Sequence, residues 1–292
     1  MTAGSVMDAK TQPFFEENVG NIMLMEHVNV QVPDQQVATL FYLVGMGFTR
    51  DPHMMVGLDN MWVNLGEQQF HLPTREPQVL RGHTGIVTPS LDGLEARLEG
   101  VKDKLEGTQF SYHREGDHID VVSPWGNLLR CYEPSERFGN IVTGIPYVEF
   151  NVPAGTAEGI AAFYEKCLMA PAHLEDGAEG KAAIVEVGTY QKFIFRESGD
   201  VPDYDGHHIA VYIADFSGVH KELAARGLVT EDPANHQMRF KDIVHPDTGE
   251  FLFTIEHEVR GMRHPQYRRP LVNRTVGQFQ EPRRVGNQTL LV

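Results

Sequence analysis

Cysteine is nearly absent from this chain: among 292 residues there are two, Cys131 and Cys167. Two thiols can build neither a disulfide framework nor a four-thiolate metal site, and both read as small buried hydrophobes. Long apolar runs are missing as well. Nothing approaches the ~20 residues of a bilayer-spanning helix, which excludes a membrane protein built on such helices. The opening stretch MTAGSVMDAKTQPFFEENVG carries acids where a secretory leader needs an apolar core, so a cytoplasmic location is expected. Positive charge is scarce too: 25 Lys and Arg face 40 Asp and Glu, a net charge of -15. That argues against nucleic acid as a main partner, because phosphate contacts demand a basic surface.

The scarcity is uneven. From Val259 onward there are seven arginines (Arg260, Arg263, Arg268, Arg269, Arg274, Arg283, Arg284), one acid (Glu281) and no lysine, giving +6 and leaving -21 on residues 1–258. A basic tail on an acidic body suits an extension that folds back on its own domain or embraces a second subunit, and a homodimer is expected.

What is present is repetition. Four segments share one grammar of strand, Asp- or Pro-containing turn, amphipathic helix and further strands. They open HVNVQVPD at His27, HTGIVTPSLD at His83, YVEFNVPAG at Tyr147 and HIAVYIADF at His208. In the first, Leu40, Phe41, Val44 and Phe48 are spaced for one helical face. Each unit is too short to bury a core alone, whereas two together make an ordinary domain. The polar connection SERFGNIVTGI (135–145) divides the chain. The expected organisation is an N-terminal extension (1–21), a domain of two units (22–136), a second domain of two units (144–258) and the basic tail (259–292). The fold class is α+β.

Strand alternation places His27, Asn29 and Gln31 on one face of the first strand and Val28, Val30 and Val32 on the other. The valines pack under the helix; the polar face needs water, a pocket or a metal. Gln69, His71 and Pro73 share a face near the end of the first unit, as do Leu128, Arg130 and Tyr132 near the end of the second.

With FY…GMGF after the first strand and SPWGN before the last of the second unit, the repeated unit resembles the vicinal oxygen chelate superfamily, which includes glyoxalase I, extradiol dioxygenases and bleomycin-binding proteins. The resemblance spans residues 22–258. It implies four βαβββ units paired into two cup-shaped sheet domains, with metal ligands on the first and last strands of paired units. Carried over position by position, it places ligands at His27, His71 and His83, with Arg130 where a glutamate is usual, four residues after Gly126. In the second half the same positions read Tyr147, Ile194, His208 and Phe253, a set too apolar for a cation. Pairing of the first unit with the fourth instead would substitute His208 for His83.

The implied cofactor is one divalent metal, Fe(II) preferred over Zn, Mn, Ni or Co. Arg130, with Tyr132, is the expected catalytic pair, clamping an anionic oxygen of the substrate; the bland reading of Arg130 is a side chain bent aside to pair with a neighbouring acid. Asn29 and Gln69 would bind substrate. The expected function is a metal-dependent enzyme acting on a small oxygen-rich organic molecule. Oxygenase chemistry is favoured over lyase or isomerase chemistry because both usual carboxylate positions lack a base. The alternative is a metal-free small-molecule binding or sequestration protein.

Overall fold

The computed structural model describes residues 20–54, 59–232 and 235–274. Each of the four units runs strand, helix, three strands. The first comprises β1 (Ile22–Asn29), α1 (Gln35–Ala38, extended by a π-helical stretch Thr39–Gly45), β2 (Thr49–Arg50), β3 (Asn60–Leu65) and β4 (Gln68–Pro73). The second comprises β5 (Gly82–Val87), α2 (Leu91–Val101), β6 (Ser111–Glu115), β7 (His118–Val122) and β8 (Leu128–Tyr132). The third comprises β9 (Gly144–Pro153), α3 (Ala157–Phe163, with a π-helical end Tyr164–Leu168), β10 (Ala172–Gly177), β11 (Gly180–Gly188) and β12 (Gln191–Ser198). The fourth comprises β13 (His208–Ile213), α4 (Phe216–Ala225), β14 (Val229–Glu231), β15 (Gln237–Val244) and β16 (Phe251–Gly261). No helix among the described residues is long and apolar enough to cross a membrane.

The strands form two eight-stranded sheets, ordered β14-β15-β16-β13-β1-β4-β3-β2 and β10-β11-β12-β9-β5-β8-β7-β6. Within each unit the first strand pairs in parallel with the last, as β1 does with β4 and β5 with β8. The units join through their first strands, β1 antiparallel to β13 and β5 antiparallel to β9. The first unit therefore shares a sheet with the fourth, and the second with the third, so the two halves of the chain are not the two sheets. The cause is a hydrogen-bonding requirement. Each first strand leaves one edge of backbone N–H and C=O groups unpaired unless another unit supplies a strand. The connection after β8 sets β9 beside β5, and β1 and β13 are then left to pair with each other across about 180 residues of chain.

Local chemistry starts the helices where the repeats place them. Asp34 accepts from the backbone N–H groups of Gln36 and Val37, Ser90 from that of Gly93, and Asp215 from that of Gly218, each satisfying donors that a helix start leaves unpaired. The apolar helix faces, with Phe41, Leu94, Leu98, Ile160, Phe163, Val219 and Leu223, pack on the valine and phenylalanine faces of the strands in one core. Cys131 and Cys167 are free and buried in that core. The basic segment begins inside the fold: Arg260 belongs to β16, and residues 262–274 turn back over the first sheet. Arg283 and Arg284, like most of the N-terminal extension, lie outside the described residues.

Candidate metal centre

The polar face of the first sheet gathers three histidines from three strands: His27 on β1, His71 on β4 and His208 on β13. One ligand atom from each lies within 4.8 Å of the others. The ladder explains the meeting, since Asn29 of β1 stands between His71 on one side and His208 on the other. A register irregularity between Met25 and His27 sets Glu26 beside His27, whose Nδ1–H donates to the Glu26 carboxylate at 2.8 Å. Donation by Nδ1 leaves Nε2 free in the neutral ring, and a carboxylate behind a ligating imidazole fixes its tautomer and raises its basicity. The indole of Trp62 stacks on the His71 ring at 3.9 Å and 15°, and Asn60 Oδ1 holds His71 Nε2 at 2.7 Å.

Two observations bear on whether the cluster could hold a cation. First, Nε2 of His27 and Nε2 of His208 are both buried and have no hydrogen-bond partner; such atoms carry a desolvation cost that a ligand would relieve. Second, the charges behind the rings are unbalanced. Glu26 and Glu258 are ion-paired through Arg260, and Glu258 and Glu256 through Arg239. Arg239 also reaches the exposed Glu231, so acids outnumber the two guanidinium groups and the network is net negative, an environment that favours a cation, weakened by solvent at its Glu256 and Glu231 end.

The protonation states agree. Burial, reinforced by the His27 and His208 rings, pushes His71 down to about 2. Burial also lowers His208, against the opposing pull of Glu258. Burial would raise Glu258, but His208, Arg260, His27 and Arg239 together take it well below the usual carboxylate range. His71 and His208 are thus neutral at physiological pH, the form in which an imidazole ligates.

Glu258 was not among the residues expected from sequence. Counting four residues from Gly249 lands on Phe253, which faces the core at 2 % exposure. The parallel pairing instead sets His208 beside Glu256, with Glu258 Oε2 at 3.6 Å from His208 Nε2. The alternation Glu256, Glu258, Arg260 in FTIEHEVRG was the available signal. Both Glu258 oxygens are committed to arginines, so it stands beside the histidines as a clamped anion.

His83, Arg130 and Tyr132 lie on the second sheet, away from this cluster. His83 Nε2 meets Tyr147 Oη at 3.1 Å, and Tyr132 Oη lies 3.3 Å from the same oxygen. Arg130 forms a two-pronged pair with Asp120 of β7, at 2.8 and 3.0 Å, through the cross-strand ladder. The clamp expected of Arg130 is therefore spent on a neighbouring acid. Of the histidine set His27, His71 and His83, the structure brings together the first two and replaces the third with His208.

Asn29 and Gln69 do face the histidine side. Asn29 Oδ1 is buried without a partner. Gln69 donates to Asp51 Oδ2 at 3.1 Å and to Asn64 Oδ1 at 2.6 Å. The folded-back segment finishes one end of this cup: Gln266 accepts from Arg260 at 2.9 Å, Arg269 grips the fully buried Asp51 at 3.2 and 2.8 Å, and Asn273 binds both backbone groups of Gly66.

No protein-family profile matches the sequence, and no curated protein is similar to it in sequence. Solved structures are similar in fold. Glyoxalase I from Zea mays superposes with a TM-score of 0.58 at 16% identity, over 80% of this chain and 91% of the maize chain. A putative dioxygenase from Bacillus subtilis gives 0.54 at 17% identity, over 82% and 86%. The chain shares the fold of these structures, an α+β architecture of four βαβββ units in two eight-stranded sheets. At these identities the likeness extends to the fold alone.

Proposed function

We propose that the protein is a divalent-metal-dependent enzyme acting on a small oxygen-rich organic molecule, with His27, His71 and His208 as the metal ligands. The observation that carries this reading is the convergence of one ring nitrogen each of His27, His71 and His208 within 4.8 Å, with Nε2 of His27 and of His208 buried and without a hydrogen bond, beside the net negative Glu26–Arg260–Glu258–Arg239–Glu256 network. Imidazole donors suit iron, zinc, nickel and copper, and Fe(II) is favoured. A divalent ion held by three neutral ligands keeps its full charge and open positions, and supplies Lewis-acid polarisation of a chelating oxygen or, as Fe(II), dioxygen chemistry.

The residues around it divide the remaining work. Glu26 orients His27 through Nδ1, Trp62 and Asn60 fix the His71 plane, and Asn29 Oδ1 offers a hydrogen-bond acceptor to a substrate hydroxyl. Isomerisation of the glyoxalase type needs a carboxylate that takes a proton beside the metal. Glu258 is the carboxylate at hand, and its arginine pairs and lowered pKa make it a poor base. Oxygenase-type chemistry therefore remains the favoured reaction.

The test is reconstitution of chelator-stripped protein with Fe(II), followed by oxygen-electrode assays on catechols and related vicinal-oxygen compounds. Dioxygen uptake that needs Fe(II) and disappears in His71→Ala supports the reading. Metal-independent retention of such compounds without turnover would replace it with the sequestration protein.

A further inference from the structure

A second cavity, of about 470 Å³, lies between the end of the first helix and the start of the second, with the folded-back segment as its outer wall. Its size is that of a small-molecule site. Met46, Phe48 and Leu65 give it an apolar floor, each at 5 % exposure or less. None of its lining side chains is acidic, and two are arginines: Arg97 from α2 and Arg274 from the returning segment. It shares no residue with the histidine cluster.

Arg97 is the informative side chain. It is partly buried, yet no carboxylate among the described residues pairs with it. Its Nε and Nη2 reach the carbonyl oxygens of Gly45 and Met46 at 3.3 and 3.4 Å, which uses two of the five donors a guanidinium carries. The acids near the start of α2 are engaged elsewhere, Asp92 by Arg114 and Glu133, which follows β8, by the Leu91 N–H. Burial and the neighbouring Arg274 both disfavour the charged form of Arg97. A glycine makes room for the arrangement. Gly47 adopts a φ of +80°, and a Cβ there would lie 2.7 Å from Arg97 Nε.

The half-buried Arg97 and the exposed Arg274 face one cavity whose described lining holds no acid, and their mutual repulsion is relieved when an anion sits between them. We infer that this cavity is a binding site for a small organic anion, a carboxylate or sulfonate with an apolar body, whose charged end meets Arg97 and Arg274 while its body lies on Met46, Phe48 and Leu65. The assignment does not rest on the metal reading of the other site.

The probe is 1-anilinonaphthalene-8-sulfonate, titrated by fluorescence into the full-length folded protein, with the uncharged N-phenyl-1-naphthylamine as control. Saturable binding of the sulfonate is expected. Arg97→Gln and Arg274→Gln should each weaken it at least about tenfold, the scale of a lost hydrogen bond to a charged group, with the neutral control unchanged and Arg97→Lys restoring part of the loss. Arg274 is exposed, so its replacement tests the charge without endangering the fold. Absence of saturable binding in the parent, or equal affinity in the parent and both glutamine variants, would overturn the assignment.

Discussion

Three imidazoles can converge without metal only if each ring is fixed by something else, and here each has its own support: Glu26 for His27, Trp62 and Asn60 for His71, and the Glu256 carboxylate, 3.5 Å from Nδ1, for His208. Removing a support should loosen one ring while leaving the ligand itself. Glu26→Gln keeps the shape but removes the charge that Arg260 and His27 share, and metal affinity should fall by about 10–100-fold, read from competition with a chromophoric chelator. A separate residue reports on pH. His257 is fully buried, bonded to Tyr164 Oη at 2.5 Å, and burial pushes it down to about 3. The unfolded chain takes up a proton near the ordinary histidine value of about 6.5, whereas the folded chain does not until near 3. The stability this neutral ring contributes is thus complete above about 6.5 and is lost as the pH falls toward 3. Urea unfolding of the parent should weaken over that window by at most about 1.4 kcal/mol per pH unit from this group, and His257→Gln should show a shallower decline.

At the scale of elements, the strands and helices follow from alternation, helix-start residues and the valine faces, and the four openings at His27, His83, Tyr147 and His208 all fall at or inside first strands. His27 and His71 were legible because both sit in one unit, where β1 and β4 pair locally. The choice between His83 and His208 stayed open in the sequence, because nothing within about fifty residues distinguishes a first strand that pairs with the next unit from one that waits for the last. Glu258 was hidden by register: β16 runs eleven residues with irregularities against β15, so a fixed count from the preceding turn gives the wrong face. Close packing also has an element-level test. Gly85 of β5 lies under the ring of Tyr147, where a Cβ would come within 2.3 Å of a ring carbon. Gly85→Ala should destabilise by about 1–3 kcal/mol, measured from the urea midpoint, while leaving the histidine cluster on the other sheet intact.

For the whole molecule, crossed pairing makes the first sheet depend on both ends of the chain. β1 meets β13, and residues 262–274 then tie the end of β16 back to the first unit through Arg269–Asp51 and Asn273–Gly66. Arg269→Ala leaves Asp51 buried with Gln69 and the His53 and Met54 N–H groups as its remaining partners. It should cost about 1–3 kcal/mol, visible as a lowered thermal midpoint. The same crossing decides which histidines can share an ion, since a site within the N-terminal half would use His83 and a site across the chain uses His208.

That choice is read by elemental analysis of untagged protein, comparing the parent with His208→Ala and His83→Ala after identical metal loading. About one equivalent in the parent and in His83→Ala, with metal lost from His208→Ala, is the expected result. Metal retained by His208→Ala and lost from His83→Ala would contradict the site assigned here.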